Sequence, residues 1–135
     1  METKRYGLPK EERISRKKEI DFLFAEGSSF IVYPLRVVYI EHNCEKISDE
    51  SAVSIMVSIP KKKFKKAVKR NRLKRLIKES YRLNKHDLIE KIKSQSKCIS
   101  VAFLYLSNEE KLYAEIESAV RKALEILSMK IQQND

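Results

Sequence analysis

Cysteine, histidine and long apolar runs are all scarce in this 135-residue chain, and each scarcity excludes something. The two cysteines, Cys44 and Cys98, have no CxxC spacing, and only His42 and His86 could join them as soft ligands, so no metal site is expected and both are read as reduced thiols. No apolar run approaches the roughly 20 residues needed to cross a bilayer, and the first residues lead into no signal-peptide core. The expected location is the cytoplasm, with no membrane contact. The histidines are expected in polar connectors, His42 before Asn43 and His86 before Asp87, without a partnered His, Lys or carboxylate suited to acid-base work. Paired acids occur at Glu11-Glu12, Asp49-Glu50 and Glu109-Glu110, but neighbouring side chains on a helix or strand diverge. No catalytic residue and no metal ligand is therefore assigned, and no cofactor is expected to bind the protein itself.

What is present points to a folded, highly charged domain. Hydrophobic residues make up 42% and charged residues 36% of the chain, whose net charge is +10. That balance is too apolar for general disorder, and the excess of positive charge favours a polyanionic partner over a small neutral substrate. Length fits one domain with one core. We expect an arm over residues 1–14, a single folded domain over 15–130 and a disordered tail over 131–135.

Periodicity sets the element order. Ser15 as N-cap and Gly27 as C′ residue bracket a helix over 16–26, with Ile20, Leu23 and Phe24 at helical spacing and Phe22 off that stripe. Residues 35–40 are rich in β-branched side chains and follow Pro34, which predicts a strand. Residues 42–51, which include the acidic loop 45–50, read as the connecting turn. Val53, Ile55, Val57 and Ile59 then alternate with smaller or polar residues, the period of a strand buried on one face. A basic helix over about 64–82 follows, then a polar stretch in which residues 88–92 add a helical turn or two. Residues 98–106 are apolar almost throughout, as in a central strand covered on both faces. Ser107 with Glu110 resembles a capping box, and Leu112, Ile116, Ala119, Val120, Ala123, Leu124 and Leu127 form the stripe of a terminal helix. The class is α+β, a small central sheet with packed helices in αββαβα order. A helix joining strands two and three would ordinarily cross over right-handed.

Acid is missing where base is densest. Residues 61–82 hold twelve Lys/Arg against a single acid, Glu79, so this stretch outweighs the net charge of the whole chain and leaves the remainder nearly neutral. Leu73, Leu76, Ile77, Ser80 and Tyr81 fall on one side of the predicted helix, while Asn71, Arg75, Lys78 and Arg82 run along the opposite edge. Such a helix docks through one face and displays cations on the other. Guanidinium groups bind phosphate bidentately, ammonium groups act as point charges, and the Asn amide can both donate and accept. A merely solvated face is the competing reading. It is disfavoured because like charges at i, i+4 repel and one acid provides little relief.

The run Phe64-Lys65-Lys66-Ala67-Val68-Lys69-Arg70-Asn71-Arg72-Leu73-Lys74-Arg75-Leu76-Ile77-Lys78 resembles the RNR signature of the bacterial ribonuclease P protein subunit, and similarity extends over about residues 8–127. That resemblance implies an α/β sandwich with a left-handed βαβ crossover in place of the right-handed one. It implies assistance in 5′ maturation of precursor tRNA, an endonucleolytic step that a large catalytic RNA subunit performs with Mg²⁺. The implied RNA contacts are Lys62, Lys63, Arg70, Asn71, Arg72, Lys74, Arg75 and Lys78. A cleft between the first helix and the sheet, at Ile20, Phe24 and Tyr39, is implied to receive the single-stranded leader, where flat rings can stack on bases. Periodicity alone instead favours core packing for Phe24 and Tyr39. Ile20 replaces an aromatic common at its position and cannot stack. The lysine-rich 61–66 stretch replaces a glycine and fewer bases in many members and should raise non-specific phosphate affinity. The implied partners are the catalytic RNA and precursor tRNA, with no obligate protein partner.

Two other classes fit the charge. A ribosomal or assembly-type RNA binder has similar size, whereas a DNA-binding regulator would need a second short helix just before residue 61, where strand-type residues stand. Alanine at Arg70 or Lys74 is expected to weaken RNA binding without loss of stability.

Overall fold

Four strands build the sheet, three of them carried by runs of apolar side chains. The structure is a computed structural model and describes residues 17–43, 53–94 and 97–132. The expected Ser15 cap, the 1–14 arm, the acidic 45–50 turn and residues 133–135 lie outside these described residues. In chain order the elements are α1 (Lys17–Glu26), β1 (Ser28–Val32), β2 (Leu35–Asn43), β3 (Val53–Ser58), α2 (Ala67–Asn84), α3 (His86–Ser94), β4 (Lys97–Tyr105) and α4 (Tyr113–Gln132). Strand order is β1-β2-β4-β3, with β2 antiparallel to β1 and β4, and β3 parallel to β4. The α+β class is as expected from the sequence, with β4 inside the sheet.

Parity along the strands divides the apolar residues between two faces. Leu35 and Val37 of β2, Val53 and Ile55 of β3, and Ile99, Val101, Phe103 and Tyr105 of β4 face the main core, where Leu73, Ile77 and Tyr81 of α2, Ile92 of α3 and Ile116, Val120 and Leu127 of α4 cover them. Each such fully buried aliphatic side chain contributes about 1.5–3 kcal/mol. The opposite face is thinly covered: Val38 and Ala102 meet Leu23 of α1, with Ile20, Ile40, Met56 and Leu104 only partly buried around them. One short helix, α1, lies on this face.

Several boundaries differ from the sequence reading. β1 is an additional strand, joined to β2 by a turn at Tyr33 and Pro34 whose peptide bond is cis. α3 is a full helix burying Leu88, Ile89 and Ile92. His86 opens α3 and His42 lies in β2, so neither sits in a connector. The terminal helix begins at Tyr113, not at a box formed by Ser107 and Glu110. The Tyr105 hydroxyl explains the delay, donating to Glu109 O at 2.6 Å and accepting from Lys111 N at 3.0 Å, while Ser107 Oγ accepts from Glu109 N at 3.0 Å. Those bonds hold the connection in a non-helical path. α4 runs to Gln132 and buries Ile131, inside the stretch expected to be tail. Cys98, expected as a reduced thiol, is disulfide-bonded. The only other cysteine, Cys44, lies outside the described residues, one position beyond Asn43, and Asn43 pairs with Lys97. Strand register thus brings together segments whose distance in sequence hid the relation.

Gly27 closes α1, with its N–H donating to Leu23 O at 2.9 Å. A Cβ there would lie 2.4 Å from Leu23 O and 2.9 Å from Tyr39 O, both backbone atoms that cannot swing aside. Glycine is needed for close approach, not for a left-handed conformation. Gly27→Ala is expected to cost about 1–3 kcal/mol as an overpacking change, read as a lower denaturation midpoint with an unchanged m value.

Candidate nucleic-acid interface

The helical period of α2 sorts its side chains as the sequence requires. Leu73, Ile77, Ser80 and Tyr81 are buried, and Tyr81 packs on Phe103 with ring centroids 6.4 Å apart. On the outside, Asn71, Lys74, Arg75, Lys78, Glu79 and Arg82 line one shallow groove of about 300 Å³. Four of the eight expected RNA contacts therefore share a single surface, and Arg72 is exposed one position beside it. Glu79 is paired with Arg82 at 2.6 Å and Lys69 with Glu110 at 3.5 Å. Among the described residues no hydrogen bond or ion pair engages the side chains of Lys61, Lys62, Lys65, Lys66, Arg72, Lys74, Arg75 or Lys78, so these cations are available to an external anion.

Two of the expected contacts are used internally. Arg70 Nη1 donates to Phe64 O at 2.7 Å and to Lys65 O at 2.9 Å, and Lys63 Nζ donates to Leu106 O. The expectation that Arg70→Ala spares stability is revised accordingly, since removing this side chain leaves carbonyls unsatisfied. Phe64 is 6% exposed and packs on Tyr105 at 5.8 Å between centroids. Phe64 and Tyr105 are site-supporting residues that the sequence reading missed; the only prior signal was an aromatic embedded in a lysine run. Burial, ahead of any other cause, raises the Tyr105 hydroxyl above the usual phenol range, partly offset by its bond from Lys111.

The expected leader residues are not all brought together. Ile20 packs on the thinly covered face and Phe24, one turn further along α1, is 44% exposed beside it. Tyr39 faces the other way, onto the main core, with its ring 5.9 Å from Phe30. The reason is strand parity, which gives Val38 and Ile40 to the α1 side and Tyr39 to the other. Phe22, 55% exposed, sits roughly 200° around the helix from Phe24 and cannot share its surface. The sheet residues of the apolar cluster under α1 are Val38, Ile40, Met56, Ala102 and Leu104. Two larger open cavities, about 830 Å³ between α3 and α4 and about 650 Å³ between the β1–β2 turn and α4, contain none of the expected site residues.

Among the described residues no group of three or more His, Cys, Asp or Glu side chains could hold a metal ion, and no helix is long and apolar enough to cross a membrane.

Comparison with known proteins agrees with this geometry. A family model described as Ribonuclease P matches residues 8–128. The Ribonuclease P protein component of Porphyromonas gingivalis W83 is 43% identical over 122 residues, covering 88% of this chain and 85% of its own. That of Clostridium botulinum Langeland is 38% identical over 111 residues, covering 82% and 89%. The fold matches the Staphylococcus aureus RNase P protein with a TM-score of 0.65 at 20% identity, over 86% of this chain and 94% of that one. It matches the Thermotoga maritima RNase P protein with a TM-score of 0.59 at 23% identity, over 87% and 96%. The chain belongs to the ribonuclease P protein family, the protein subunits of the endoribonuclease that matures tRNA 5′ ends.

Proposed function

We propose that the outer face of α2 lies against a large catalytic RNA while the cleft between α1 and the sheet receives the single-stranded 5′ leader of precursor tRNA. The observation that carries this reading is the contiguous groove of Asn71, Lys74, Arg75, Lys78 and Arg82 on a helix anchored from beneath by Leu73, Ile77 and Tyr81. A rigid underside matters because ordering long cationic side chains on a mobile segment would consume part of the binding energy.

The protein's residues bind and orient. Lys74, Arg75 and Lys78 neutralise phosphates and so lower the repulsion between two polyanions brought into one complex. Asn71 offers an amide to a ribose hydroxyl or base edge. In the cleft, Phe24 supplies the flat surface for stacking, at ~1–3 kcal/mol per base. Ile20 and the floor of Val38, Ile40, Met56 and Leu104 add apolar contact, and Tyr39 contributes by holding β2 in place. Mg²⁺ belongs to the RNA subunit in this reading and supplies the Lewis acid for phosphodiester hydrolysis there. A cytoplasmic location and the absence of an obligate protein partner complete it.

Reconstitution tests the proposal. Adding the chain to its cognate RNA is expected to permit cleavage of precursor tRNA at Mg²⁺ concentrations where the RNA alone is inactive, and shortening the leader should reduce the protein's effect on substrate affinity. Tight RNA binding without any such rescue would point to a purely structural RNA-binding role.

A further inference from the structure

Residues 61–70 contain Lys61, Lys62, Lys63, Lys65, Lys66, Lys69 and Arg70 with no acid among them. Such a stretch repels itself, yet it forms a tight turn in which Lys63 N and Phe64 N both donate to Pro60 O, at 3.2 and 3.3 Å. Helix capping adds nothing to hold it, since Lys66 at the N-cap makes no side-chain capping bond and the first turn of α2 carries no acid. What opposes the repulsion is a set of ties. Phe64 is sunk against Tyr105, Lys63 reaches across to Leu106 O, and Arg70 reaches back from the first turn of α2 to Phe64 O and Lys65 O. Both Arg70 bonds come from Nη1, so both hydrogens of that nitrogen are committed.

We infer that Arg70 is a positioning residue, whose guanidinium clamps the turn before α2 so that Lys61, Lys62, Lys65 and Lys66 form a fixed second row of cations beside the α2 groove. This rests on the reading of α2 as the RNA-facing helix. The charge of Arg70 adds to the local potential, but its affinity contribution passes mainly through lysines whose backbone it holds. A guanidinium suits that task because the two hydrogens of Nη1 are fixed in its plane, whereas a lysine ammonium rotates freely on a flexible stem.

The test compares Arg70→Ala and Arg70→Lys with Arg75→Ala, using hydrogen exchange of the free protein and the salt dependence of binding to the cognate catalytic RNA. We expect Arg70→Ala to speed amide exchange at residues 63–70 in the absence of RNA, while Arg75→Ala leaves those amides unchanged. The salt slope of Arg70→Ala should become shallower by more than the ~0.7–0.9 that one phosphate contact accounts for. Alanine at Lys65 and Lys66 should cost less affinity in the Arg70→Ala background than in the parent. Arg70→Lys retains the charge and keeps the test valid if the alanine variant folds poorly: positioning predicts that it still loses affinity and exchange protection. Unchanged exchange, a slope reduced by one contact and additive effects of Lys65 and Lys66 would overturn the inference and make Arg70 a direct phosphate ligand. If Arg75→Ala and both Arg70 variants all bind RNA like the parent, it is the underlying reading of α2 that fails.

Discussion

Replacing Lys74, Arg75 and Lys78 together by alanine is expected to weaken binding to the cognate RNA about a hundredfold at roughly physiological salt while leaving the thermal midpoint nearly unchanged. The affinity loss follows from three phosphate contacts, each contributing about 0.7–0.9 to the slope of log affinity against log salt. The same loss should make that slope shallower by about 2–3. Stability is spared for a separate reason. These side chains line the outer groove, make no hydrogen bond or ion pair among the described residues, and stand among like charges. Alanine is the best helix former and removes repulsion at i, i+4 spacing. Fluorescence anisotropy at several salt concentrations, with calorimetry of the free protein, reads both quantities. A large fall in thermal midpoint would mean that the stripe supports the fold.

Phe64→Ala is expected to produce the opposite pattern, a large loss of stability from a residue inside the basic run. Its ring is buried against Tyr105, and truncating a buried Phe typically costs about 3–5 kcal/mol through lost transfer energy and the cavity left behind. For a domain of this size that corresponds to a thermal midpoint lower by roughly 6–20 °C. Phe64→Leu, which keeps most of the volume, should recover much of the loss. Denaturant titration of the two variants checks the difference. RNA affinity should fall as well, because the turn that carries Lys61, Lys62, Lys65 and Lys66 loses its anchor.

Side-chain periodicity made α2, α4 and β2–β4 legible because each buries one face against a common core. β1 was hidden for a physical reason. It is only five residues long, begins with two exposed serines and turns Ile31 outward, so little of it alternates in the manner of a half-buried strand. The start of α4 lies later than the Ser107–Glu110 pattern suggests because Ser107 Oγ accepts from Glu109 N instead of Glu110 N, and the Tyr105 hydroxyl at the end of β4 holds Glu109 O and Lys111 N in the connection. Tyr39 was assigned to the cleft by resemblance, although strict alternation from Val37 and Val38 already places it on the core side.

The candidate interface was readable as charge but not as division of labour. Arg70, Lys63 and Arg75 are alike in sequence terms. Only the folded chain shows that the first two turn back onto carbonyls, one of them Leu106 O from a distant strand end, and that Arg75 faces outward. Tertiary proximity of that kind leaves no local pattern. The same holds for the apolar cluster under α1, where Met56 and Leu104 come from separate strands that meet only through the β3–β4 pairing.

The most direct check on the central claim is a lysine modification footprint of the protein with and without its cognate catalytic RNA. Protection is expected at Lys62, Lys65, Lys66, Lys74 and Lys78, with Lys122 and Lys130 on α4 remaining as reactive as in the free protein. Protection of the α4 lysines with Lys74 and Lys78 still fully reactive would contradict the account.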